Sequence, residues 1–138
     1  MRKKITVALA LVGAIFMLGS GNAYAQERLG SVNMINNIRI ENGLNPLTID
    51  ESLANCAEIR AQEAGEKWSH TRPNGEEWFT VDDKSYGENL AKGFSNDAEM
   101  FDAWLQSPTH KANILNDKFR TIYISDNGSG YVACEFGI

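Results

Sequence analysis

Two histidines, His70 and His110, are the side chains best suited to chemistry in this chain. His70 stands in Trp68-Ser69-His70-Thr71-Arg72-Pro73, at the start of a loop. His110 stands in Ser107-Pro108-Thr109-His110, the third helical position if Ser107 caps a helix. A helix N-terminus disfavours imidazolium, so His110 is expected to stay neutral and able to ligate a metal. Glu88, in Tyr86-Gly87-Glu88-Asn89-Leu90, suits a partly buried acceptor for an imidazole N–H. Spacing alone leaves a plainer reading open for each: two hydrogen-bonded structural histidines and a solvated loop acid.

Other catalytic patterns are missing. There is no GxSxG elbow, no GxxxxGK[ST] loop and no HExxH. Neither CxxC nor a Cys/His cluster at zinc-finger spacing occurs. Cys56 falls within a predicted helix, and the alternation Val132, Cys134, Phe136 sets Cys134 on an apolar strand face. A Cys–His nucleophile pair is therefore disfavoured. A Cys56–Cys134 disulfide and two separate buried thiols both remain open.

The elements that must position these residues have to fit within 138 residues, room for one domain. Apolar residues make up 43% and charged residues 22%, enough for a core and a solvated surface. Met1 to Ala25 reads as a secretory signal peptide. Arg2, Lys3 and Lys4 form its charged start, Ile5 to Leu18 is an apolar run too short for a comfortable span, and Ala23-Tyr24-Ala25 is a small-x-small cleavage site. Cleavage there leaves 113 residues from Gln26 with a net charge of −8, from 10 basic and 18 acidic side chains. That balance argues against nucleic acid as a partner, and no transmembrane span follows the leader. The expected location is outside the cell.

A first helix is predicted over Glu27 to Glu41, with Leu29, Val32, Ile35 and Ile38 on one stripe and Asn42-Gly43 as its stop. Asp50 should cap a second helix carrying Leu53, Ala57 and Ala64, ended by Gly65. Trp78-Phe79-Thr80-Val81 suits a short strand. Asn96 and Glu99 form a capping box for a helix to Gln106. Ser107-Pro108 starts another, with Ala112, Ile114 and Leu115. Thr121 to Ser125 and Tyr131 to Phe136 flank Asp126-Asn127-Gly128-Ser129-Gly130 as a hairpin. The order implies an α+β layered domain.

Ser69-His70-Thr71-Arg72-Pro73-Asn74-Gly75, Gly87-Glu88-Asn89-Leu90-Ala91 and Trp104 to Leu115 strongly resemble the CAP superfamily. This is the SCP domain of cysteine-rich secretory proteins, antigen 5 allergens and plant pathogenesis-related proteins, and the likeness is to its short bacterial secreted members. Arg39, Asn42-Gly43-Leu44, Pro46-Leu47, Leu53, Ala57 and Tyr131 to Gly137 also match in order. The resemblance spans Glu27 to Gly137 and implies an α-β-α sandwich, with a small antiparallel sheet between helical layers and a shallow cleft. It places His70, Glu88 and His110 in that cleft and implies a divalent metal, zinc or magnesium, on His70 and His110. A fourth, acidic cleft position is occupied here by Ser107, and Glu76 or Glu77 is the candidate to replace it.

Three functions follow as expectations. One is a non-enzymatic extracellular or cell-envelope module binding a protein, lipid or cell-wall component. Another is a metal-assisted, peptidase-like hydrolase with Glu88 as its base. The third is a lipid or sterol carrier. No catalytic residue is assured, since two histidines are one ligand short of a usual catalytic zinc site.

Overall fold

The computed structural model describes residues 20–138, with side chains from Leu29 onward. Most of the expected leader, Met1 to Ala25, lies outside the described residues. Helix α1 spans Ser20–Glu41. It starts before the expected Glu27 because Ala23, Ala25 and Gln26 are good helix formers with no breaker after Asn22. It stops where expected. Gly43 takes φ +73°, and the N–H groups of Gly43 and Leu44 return to the carbonyls of Ile40 and Arg39 at 2.9 Å each. That pairing is a Schellman motif. Val32 and Ile35 are buried, whereas Leu29 is exposed and drops out of the predicted stripe.

The chain then runs through β1 (Thr48–Ile49) and a 3-10 turn, Glu51–Leu53, into α2 (Ala54–Glu66). Asp50 caps the turn by accepting from the Ser52 N–H at 2.8 Å. Gly65 lies inside α2 rather than ending it. Its missing side chain matters because a Cβ there would meet the Asn127 amide at 2.8 Å. Trp78–Val81 is a second 3-10 turn, not the expected strand. Its residues favour strand, but the Thr80 N–H turns back to the Glu77 carbonyl at 3.0 Å, and β propensity is decided by neighbours.

Strand β2 (Gly87–Lys92) is followed by α3 (Asp97–Gln106), α4 (Pro108–Ile114), β3 (Thr121–Asp126) and β4 (Tyr131–Gly137). The sheet order is β1-β3-β4-β2. The β3–β4 hairpin and the β4–β2 pair are antiparallel. Two residues of β1 pair parallel to β3, so the expected antiparallel sheet is mixed at one edge. The extended link after α1 returns the chain there in the direction of β3.

Alternation along the strands divides the core. Ala91, Ile122, Ile124, Cys134 and Phe136 face α1, α3 and α4, against Val32, Ile35, Met100, Trp104 and Ile114. Leu90, Ala133 and Tyr123 face α2. Cys56 and Cys134 are therefore on opposite sides of the sheet, both buried and both free. The Cys56–Cys134 bridge is not formed, because a bonded sheet stands between the two sulfurs.

Arg39 closes the core at its helical side. It is fully buried and donates to the carbonyls of Asn45, Ile114, Asn116 and Phe119 at 2.8–3.3 Å. Burial holds its pKa below the ordinary arginine value. The guanidinium thus supplies the end of α4 with donors that the backbone there lacks.

Candidate functional site

The site is assembled around Arg60, which projects from the buried face of α2 with no exposed side-chain surface. Its Nε and Nη2 grip the two Glu88 oxygens at 2.7 and 3.0 Å. Its Nη1 donates to Glu63 at 2.7 Å, and Nη2 also reaches the Ser69 carbonyl at 2.8 Å. One guanidinium thus fixes both the acid on β2 and the loop residue preceding His70. The His70 ring completes the arrangement, with Nδ1 2.8 Å from Glu88 Oε1. Nδ1–H donates to the carboxylate, which leaves Nε2 as the free nitrogen of a half-exposed ring.

The Gly87-Glu88-Asn89 run distributes its residues by strand alternation. A Cβ on Gly87 would stand 2.6 Å from the Phe119 ring, so only glycine fits. Glu88 faces α2 and Asn89 faces α4. Asn89 Nδ2 donates to the His110 carbonyl at 3.1 Å, and Asn113 Nδ2 donates to Asn89 Oδ1 at 2.9 Å and to the Glu88 carbonyl at 3.2 Å. The strand thereby holds the first turn of α4, where His110 is the third residue. Burial, and then the charge of the nearby His70, keep His110 below the ordinary histidine range. His70 and Glu88 are thus in direct contact, and the first turn of α4 that carries His110 is tied to the same strand.

A second acid stands behind Glu88. Glu135 on β4 is its partner in the strand register, fully buried, and takes a hydrogen bond from Ser85 Oγ at 2.5 Å. Its Oε1 accepts from no donor. Burial, and then the charge of Glu88, push the Glu135 carboxyl far above the usual carboxylate range. Burial also opposes the charge of Glu88, but hydrogen bonds from His70 and Arg60 outweigh it and hold Glu88 below that range. The pair is one carboxylate and one carboxylic acid.

Ser107 sits between α3 and α4 in the extended conformation of an N-cap, yet its side chain makes no capping bond. Its hydroxyl lies 3.4 Å from that of Thr109. Glu76 is engaged by Arg72, Asn74 and Thr80 at the surface. Glu77 meets Thr71 through the backbone in an isolated bridge. Neither acid joins the cluster. Glu135 lies beside Glu88 but beneath it, closed off from solvent.

Among the described residues no group of three His, Cys, Asp or Glu side chains is arranged to hold an ion, so the donor set falls short of a catalytic zinc centre. Both thiols are unsuited to attack or ligation, because burial pushes Cys56 and Cys134 up from the ordinary thiol value.

Arg60, Glu135, Asn89 and Asn113 were not singled out by the sequence reading. Arg60 carried a signal, since it continues the Leu53, Ala57, Ala64 stripe of α2. Glu135 carried another, as a charge between Cys134 and Phe136 in a strand with no exposed face.

The chain belongs to the cysteine-rich secretory protein, or CAP, family, whose model matches residues 32–136. It is 37% identical over 109 residues to the uncharacterized protein YkwD of Bacillus subtilis, covering 73% of this chain and 40% of that protein. The chain thus spans well under half the length of that relative. An extracellular protein of Bacillus anthracis containing an SCP domain shares the fold with a TM-score of 0.71 at 21% identity, over 87% of this chain and 44% of that one. An outer surface protein of Borrelia burgdorferi superposes with a TM-score of 0.63 at 26% identity, over 77% and 87% of the two chains. A cysteine-rich secretory protein of Staphylococcus aureus does so at 0.68 and 21%, over 83% and 39%.

Proposed function

We propose that this chain is an exported binding module whose recognition surface includes the exposed edge of the His70–Glu88–His110 cluster. The observation that carries this reading is the engagement of Glu88. Its side chain has no exposed surface, and its oxygens are occupied by Arg60 and His70. A general base must reach the proton that it abstracts, at about 2.6–3.2 Å or through one water. Glu88 instead holds a ring in place. No thiol or other acid among the cluster residues is free to take over that role.

Export is supported by the Met1 to Ala25 pattern and by the extracellular, outer-surface and secretory descriptions of the three structural relatives. Among the described residues no helix is long and apolar enough to cross a membrane. A lipid carrier is less well supported. A cavity of about 540 Å3 along α2 is bordered by Glu58, Glu63, Glu66 and Asp126, a lining unsuited to an acyl chain.

Incubating the exported protein with a peptide library, with and without zinc, tests the reading. No cleavage above buffer is expected from wild type or Glu88→Gln. Turnover by wild type that Glu88→Gln abolishes would make the protein a hydrolase and overturn the proposal.

A further inference from the structure

Between the Trp78–Val81 turn and the start of β2 lies a groove of about 300 Å3, lined by Trp78, Phe79, Asp82, Asp83, Ser85 and Tyr86. That volume is at the small end of ligand pockets, which run from ~300 to ~1,000 Å3. We propose that this groove is a binding site for an organic cation of the alkylammonium class. None of His70, Glu88 and His110 lines it, and the proposal stands independently of the function assigned to those residues.

The aromatic residues carry the first part of the argument. Phe79 is 51% exposed and Tyr86 is 55% exposed. Single exposed apolar side chains are ordinary, but three aromatics converging on one concavity are not. The Trp78 and Phe79 rings form an edge-to-face pair at the groove, 5.6 Å apart with planes at 87°. Aromatic faces carry negative electrostatic potential, and rings set at angles to one another are a favourable receptor for a bulky cation.

Charge carries the second part. The ionisable lining groups are Asp82 and Asp83, which are anionic, and Tyr86. Asp82 is fixed in place, its Oδ1 accepting from the Lys84 N–H at 2.7 Å. Lys84 adjoins the groove in sequence but is not among its lining residues. The hydroxyl of Ser85 is already committed to Glu135 and the Gly87 carbonyl. Rings and carboxylates thus favour the same sign of ligand. An anion would be repelled, and a neutral ligand would gain nothing from the net negative charge.

The test uses the mature exported protein, with choline as the probe. Its uncharged carbon isostere and N-acetylglucosamine are parallel ligands, and the indole N–H signal of Trp78 is followed by NMR. Choline should shift that signal saturably, and the isostere should bind at least tenfold more weakly. Phe79→Ala, which removes an exposed ring, should weaken choline binding about 3- to 30-fold, the span of one cation–π contact. The Asp82→Asn/Asp83→Asn double variant should weaken it too. Phe94→Ala, an exposed aromatic at another cavity, should bind as wild type does. Circular dichroism checks that each variant is folded. Equal binding of the isostere, preferential binding of the sugar, or no saturable shift with choline would each overturn the proposal.

Discussion

Glu88 and Glu135 face each other across β2 and β4, two carboxyl groups in register on the same buried side of the sheet. Two negative charges so placed would repel strongly, and only one is held. Arg60 and His70 fix the charge on Glu88, and burial beside that charge leaves Glu135 to retain its proton. The arrangement couples a buried acid on the last strand to the orientation of a surface imidazole.

That coupling has a measurable sign. The folded state keeps Glu135 neutral where the unfolded chain would ionise it. Its contribution is therefore fully present below the unfolded carboxylate pKa near ~4.3, and is lost as pH rises toward the raised folded value. Glu135→Gln keeps the shape and a donor without that penalty. The variant should match wild type near pH 4 and become more stable at pH 7, with a slope no steeper than ~1.4 kcal/mol per pH unit. Urea midpoints at several pH values check this. A variant less stable at neutral pH would mean that Glu135 is ionised in the fold.

Much of this framework is legible from sequence because its signals are local. The Asn42-Gly43 stop, the Asn96 cap and the β3–β4 hairpin depend on neighbouring residues, and each forms. The motif resemblance pointed to the segments that carry the His70–Glu88 contact and the α4 start at His110. The supports were harder to see. Arg60 stands on the buried stripe of α2, but its partner Glu88 is 28 residues away and no local signal pairs the two. Strand β2 has no clean alternation, since Glu88 and Asn89 are buried on opposite faces and both are polar. Periodicity marks faces that are apolar, and this strand buries polar groups instead.

Caps provide a direct contrast. Asn96 Oδ1 accepts from the Glu99 N–H at 2.9 Å, while Ser107 makes no such bond and Pro108 already removes one donor from the first turn. Asn96→Ala should cost about 1 kcal/mol. Ser107→Ala should fall within ~0.5 kcal/mol of wild type, as surface changes usually do. Thermal denaturation of both variants decides it, and a larger loss for Ser107→Ala would reverse the assignment.

The thiols should be free and silent. Cys56 and Cys134 are buried on opposite faces of the sheet, and burial keeps both protonated. Protein purified without reductant should give no reaction with a thiol reagent while folded, and two equivalents in denaturant. Zero equivalents in denaturant would require a bridge through the sheet.

Zinc binding should be weak and should need both histidines. Glu88 holds Nδ1 of His70 and leaves Nε2 free, while Asn89 fixes the backbone of His110. The protein contributes two nitrogens, and the nearest carboxylate is already committed to Arg60, so water must complete any coordination shell. Protonated imidazole cannot ligate, so affinity should fall on acidification. His110, held below the ordinary histidine range by burial, takes up its proton at lower pH than a free imidazole. Calorimetry with wild type, His70→Ala and His110→Ala measures this at pH 7.5 and pH 5.5. Loss of heat in either variant assigns the ion to the pair, whereas equal heats from all three proteins would leave both rings with no part in metal binding.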